Sequence, residues 1–256
     1  LIHPPLFYLL LKVLILVGGD GLFWLRLLPV IFSILALFPL WMLCRELKLR
    51  PSAVVVSFGL FAVNGALIKY AQEVRMYSLL LFVSLTSIWL FSRYYFRGKS
   101  FWMLVVVNIL LVHTHYFGWF VVGSEIFLIL IFQRIKVLRT LLMLAVTAAA
   151  FVPWILALLK FAEPGSSIEQ NIGWMQRPGI GKLFELIFDL VDPLYFQQSS
   201  AEPAAFYWIA VPILILIVTS IILYFIDFGD EKNKDRLFFL ATFAAVPAIL
   251  VFILSW

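Results

Sequence analysis

The chain has 256 residues, 64% of them hydrophobic and only 13% charged. A soluble domain averages about 45–50% apolar and about 25% charged residues, so a soluble globular domain, a disordered chain and a disulfide scaffold are excluded. The net charge of +5 is spread over short loops and forms no basic face, which excludes a nucleic-acid binder.

Apolar runs near 20 residues recur, so the expected fold class is an all-α polytopic membrane helix bundle rather than a barrel. The first apolar stretch, Pro5 to Val17, is an exception. Its thirteen residues make about 20 Å of helix against a hydrocarbon core of roughly 30 Å. It is expected to lie in the outer leaflet, opened by Pro4 and Pro5 and ended by Gly18, Gly19 and Gly21. About eight transmembrane helices follow, roughly 23–44, 52–70, 76–94, 100–115, 117–133, 139–160, 204–226 and 236–256.

Basic loops fall after every second span. They hold Arg45, Lys48 and Arg50; Arg93, Arg97 and Lys99; Arg134, Lys136 and Arg139; and Lys232, Lys234 and Arg236. The positive-inside rule puts these loops in the cytoplasm and the alternate ones outside. The connection 161–203 is long, hence functional by expectation. Within it Ile180, Leu183, Phe184, Ile187, Phe188 and Val191 repeat at helical spacing, with Lys182, Glu185, Asp189 and Asp192 opposite. That pattern predicts an amphipathic interfacial helix. The whole of 1–256 reads as one transmembrane domain. It opens at Leu1 without a Met and stops at Trp256 within an apolar run, the pattern of a fragment. The lone Cys44 permits no internal disulfide.

Polar residues gather at the helix ends expected outside, where ionisable groups at membrane depth point to function. In Gln72-Glu73-Val74-Arg75-Met76-Tyr77, Arg75 can grip a phosphate through its planar fork, and Glu73 can orient Arg75 or bond sugar hydroxyls. The plain alternative is a Glu–Arg pair that closes the turn. In His113-Thr114-His115-Tyr116, two His residues two apart point about 200° apart on a helix, so metal chelation is not expected. One of them can reach a phosphate or an acceptor, or the group simply anchors the helix end. His3-Pro4-Pro5-Leu6 opens a helix whose N-terminus suits a phosphate. Asn108 and Glu125 stand equally far from the hairpin tip at 116–117 and are expected to hydrogen-bond across the pair, a structural role preferred over a proton relay. Asn64 is expected to be similar glue between helices.

Taken in order, His3 to Leu11, Arg26-Leu27-Leu28-Pro29, Gln72 to Tyr77 and His113 to Gly118 resemble the bacterial and archaeal family 39 glycosyltransferases. These are similar to the protein O-mannosyltransferases and the lipid A aminoarabinose transferases. The resemblance covers roughly residues 1–135 and implies the C-type glycosyltransferase fold. It implies transfer of a sugar from a polyprenyl-phosphate carrier to a lipid, glycan or protein acceptor at the extracytoplasmic face of the cell membrane. His3, Pro4 and Pro5 map near the carrier phosphate, where relatives with Lys at the position of His3 use it. Glu73, Arg75 and Tyr77 map beside the same cavity, and His113, His115 and Tyr116 join the candidate substrate-binding set. The family's acidic Asp-Glu pair, and with it the catalytic base, falls upstream of Leu1. A Ser-Pro usual before the Gln-Glu-x-Arg segment is replaced near that place by Asn64-Gly65. No cofactor is expected, and a divalent metal is left open. The alternative reading is a membrane transporter or lipid flippase, which should show broken helices and polar groups at the midplane.

Overall fold

The computed structural model describes residues 3–161 and 231–254. The expected amphipathic helix at 180–192 and the span 204–226 lie outside those residues. The described residues are helical, with one 3-10 turn and no strand among them. In chain order the helices are α1 (Leu6–Gly18), α2 (Leu22–Leu35), α3 (Leu37–Glu46), α4 (Pro51–Val63) and α5 (Gly65–Gln72). They continue with α6 (Tyr77–Arg97), α7 (Phe101–Thr114), α8 (Gly118–Phe132), α9 (Val137–Phe161) and α10 (Glu231–Leu254).

Three stretches are long and apolar enough to cross a membrane: Leu22–Glu46, Tyr77–Arg97 and Val137–Lys160. The first joins α2 and α3. Their break at Ala36 follows from Pro39, which lacks the N–H that would bond Leu35 and whose ring crowds that carbonyl. The Pro51–Val63 and Gly65–Gln72 pair makes a fourth stretch, bent by 51°. Asn64 sits at the bend, and its side chain accepts the Leu67 N–H at 2.9 Å. It acts there as a helix cap; an extended backbone at Asn64 ends α4 and frees the donors that the cap satisfies.

α1 has 13 residues, α7 has 14 and α8 has 15, all shorter than the core of about 30 Å at 1.5 Å per residue. For α1 this matches the expected short helix. α7 and α8 occupy the stretches expected at 100–115 and 117–133, one residue shorter at each end, since α7 starts after Ser100 and ends where His115 turns extended. α1 is latched to α2 by Trp24, whose Nε1 donates to Leu14 O at 2.8 Å. Gly18 makes the latch possible, since a Cβ there would lie 2.1 Å from the indole.

The four basic clusters of the sequence gather at one end of the bundle. Arg97 Nε meets Glu46 Oε1 at 2.6 Å, which ties the end of α6 to the end of α3. Lys136 donates to the carbonyls of Tyr94 and Tyr95. A cation on the last carbonyls of α6 complements that helix terminus, and burial lowers the Lys136 pKa. Phe239 of α10 stacks on Phe91 at 5.8 Å, so the start of α10 belongs to the same end.

Two apolar clusters fill the interior. One, toward the basic end, includes Leu43, Leu90, Phe91, Leu104, Leu128, Ile129, Met143 and Phe239. The other, toward the opposite end, includes Phe7, Leu28, Leu79, Val83, Leu111, Val112, Val122 and Phe151. On α7 the buried positions 104, 105, 108, 111 and 112 form one stripe at helical spacing. Between the two clusters lies a fully buried polar group: Ser87 of α6, Asn108 of α7 and Glu125 of α8.

Candidate functional site

Three segments far apart in sequence meet at the end opposite the basic loops. They are the segment before α1, the turn between α5 and α6, and the tip of the α7–α8 hairpin. Each is placed by local chemistry. Pro4 is buried and Pro5 precedes the first helical residue, so the chain turns into α1 with His3 just ahead of it. Ser78, buried at the start of α6, donates to Tyr70 O at 2.9 Å and receives Ser33 Oγ at 3.1 Å, which ties α2, α5 and α6 together. At the hairpin tip Gly118 is pressed on α7: a Cβ there would stand 2.7 Å from Leu111 O.

The three places meet through their rings. His3 stacks on His115 with centroids 5.3 Å apart and an interplanar angle of 26°. Tyr77 touches the other side of the group, 6.0 Å from His115 and 4.5 Å from Tyr70. His115 is 5% exposed, and its Nδ1 accepts the Phe117 N–H at 3.1 Å. That bond fixes the tautomer, with the proton of the neutral ring on Nε2. Burial, and then the neighbouring His3, push the His115 pKa down to about 4. Burial, and then the Arg75 charge, lower the His3 pKa as well. Both imidazoles are therefore neutral near pH 7. His3 Nδ1 is a buried atom without a hydrogen-bond partner among the described residues.

Arg75 stands at the rim with its side chain 65% exposed, its Nε 3.8 Å from Glu73 Oε2. Lys69 approaches the same carboxylate at 3.8 Å. Glu73 thus lies between two cations at a distance too long for tight pairing, and most of the Arg75 side chain is exposed.

Of the candidate residues, His3, Tyr77 and His115 are in contact, Arg75 acts on His3 through its charge, and Glu73 pairs loosely with Arg75. Pro4 supports the turn. His113 and Tyr116 also make contacts with α9. His113 Nδ1 is 2.8 Å from Ile109 O of its own helix, and its ring packs on Phe151 of α9. Tyr116 accepts from Trp154 Nε1 at 3.3 Å. His113 anchors the hairpin to α9, while Tyr116 bridges α9 and the His3–His115 group, its ring also meeting His115 edge-on at 6.3 Å, because α7 ends at Thr114 and the extended His115 turns the chain between them. The two hairpin His residues do not converge: His113 packs on Phe151 while His115 stacks on His3. Tyr70 is the site residue that sequence reasoning missed; its place seven residues before Tyr77 is the one signal it carried.

No known family, curated protein or solved structure matches the chain.

Proposed function

We propose that this chain belongs to a membrane glycosyltransferase that moves a sugar from a polyprenyl-phosphate carrier to an acceptor on the extracytoplasmic side. The observation that carries the reading is the His3–His115 stack with Tyr77 and Arg75 at one end of the bundle. Three of the four segments behind the resemblance contribute to that group. The chemistry also fits. An exposed, loosely paired guanidinium can take a phosphate in a bidentate grip, and charge grows on that phosphate as the anomeric bond breaks. Neutral imidazoles beside it offer donors without a competing charge. Aromatic faces of Tyr70 and Tyr77 suit a sugar ring. The acceptor hydroxyl would be activated by the acidic pair that the resemblance puts ahead of Leu1. The C-type fold and the cell-membrane location belong to the same proposal.

One observation favours the transporter or flippase reading: α4 and α5 form a broken span bent by 51°, and polar groups lie mid-bundle at Ser87, Asn108 and Glu125. A single experiment separates the two. The intact protein in sealed vesicles is given a radiolabelled polyprenyl-phosphate sugar on its accessible side with an acceptor extract. Label found on the acceptor, and lost in His115→Ala, supports transfer. Label that only changes leaflet supports transport and overturns the proposal.

A further inference from the structure

The polar group buried between the two apolar clusters is unused by the proposed reaction. Ser87 Oγ lies 2.6 Å from Asn108 Oδ1 and 2.7 Å from Glu125 Oε1. Asn108 Nδ2 lies 2.6 Å from Glu125 Oε2 and 3.4 Å from Met143 Sδ. All three polar side chains have no exposed surface, and no cation pairs with Glu125 among the described residues.

The protons of this ring can be counted. A serine hydroxyl has one, an amide oxygen none and an amide nitrogen two. Asn108 Oδ1 can only accept, so Ser87 gives its proton there. The contact between Ser87 and Glu125 then needs a proton from the carboxyl. Reversing the amide changes nothing, because Asn108 Oδ1 would then face Glu125 Oε2 and the carboxyl would again have to donate. The Met143 sulfur selects the first orientation, since it takes the second N–H of Asn108.

We infer that Glu125 is a proton-binding site inside the helix bundle. It is held as a neutral carboxylic acid in a closed ring in which Glu125 donates to Ser87, Ser87 to Asn108 and Asn108 back to Glu125. Within the ring each member donates and accepts once, and the second N–H of Asn108 goes to the Met143 sulfur, so no buried donor is orphaned and three helices are fixed in depth against one another. The inference is independent of the glycosyltransferase reading.

Infrared spectroscopy of the intact protein at neutral pH tests it, with and without 13C-labelled Glu. The expected result is a carbonyl stretch of a protonated carboxylic acid that shifts with the label and is lost in Glu125→Gln. Gln keeps one acceptor and one donor in the same places, so the fold should survive. In Ser87→Ala the band should move to higher frequency as the acid loses its acceptor. That second variant carries the test if Glu125→Gln fails to fold. The inference is overturned if Glu125→Gln removes an ionised carboxylate band instead, or if Ser87→Ala leaves the acid band unmoved.

Discussion

Arg75 and His115 meet opposite demands within one site. Arg75 must stay charged and reachable, and its 3.8 Å separation from Glu73 at the rim allows that. Substituting Lys keeps the charge but loses two parallel hydrogen bonds. Charge-assisted bonds contribute about 1.5–3 kcal/mol, so Arg75→Lys should lower sugar transfer roughly 10–150-fold with expression unchanged. Glu73→Gln should lower it less. Arg177→Lys, outside the described residues, serves as the comparison and should leave turnover near wild type. If Arg75→Lys turns over like wild type, the pair merely closes the turn. His115 must stay neutral, and its pKa of about 4 in the fold lies below the ordinary 6.5. The unfolded chain therefore takes up a proton in that window while the folded one does not. Stability is full above about pH 6.5 and falls as the pH drops toward 4. Thermal melts across that range should show the slope, and His115→Phe should reduce it to the part that His3 contributes.

At the scale of helices, two glycines set how closely elements approach. Gly118→Ala puts a methyl group 2.7 Å from a backbone oxygen of α7, which cannot swing away. Overpacking of this kind costs about 1–3 kcal/mol, and here it also moves the hairpin tip that carries His115. The variant should therefore lose both melting temperature and transfer. Gly18→Ala meets the Trp24 ring instead, so it should unlatch α1 and lower the melting temperature. Transfer then reports whether His3 follows α1.

Much at this scale was legible. Pro4 and Pro5 mark the start of α1, Gly18 and Gly19 its end, and counting from the tip paired Asn108 with Glu125. Ser87 was not legible, because a serine inside an apolar helix has no sequence signature of its role. Nor was the turn at His115: helical angles separate His113 from His115 but cannot foresee that the helix ends between them. Asn64 read as an intramembrane polar residue, and only the bend between α4 and α5 makes it a cap.

Across the whole molecule, the charge pattern of the sequence and the folded contacts agree that the basic loops share one end. Single-Cys labelling in a Cys44-free background should report Ser100 on the cytoplasmic side and Ser167, outside the described residues, on the opposite one. Labelling of both from the same side would invert or abolish the proposed location of the site.

The short hairpin has a further effect on the surrounding lipid. At 1.5 Å per residue α7 and α8 measure about 21–23 Å, while α6 beside them matches the roughly 30 Å of hydrocarbon. Acyl chains next to the hairpin must compress or tilt to avoid leaving its polar ends unsolvated, at a cost of fractions of a kcal/mol per Å. In the proposed membrane setting the bilayer would be thinned on the flank of the protein where His115 sits. A headgroup in that dimple rides several Å lower than its neighbours, which brings it toward the hairpin tip without leaving the leaflet. The protein should accordingly melt higher in short-chain than in long-chain phosphatidylcholine nanodiscs, and equal melting in both would show that the hairpin imposes no such deformation.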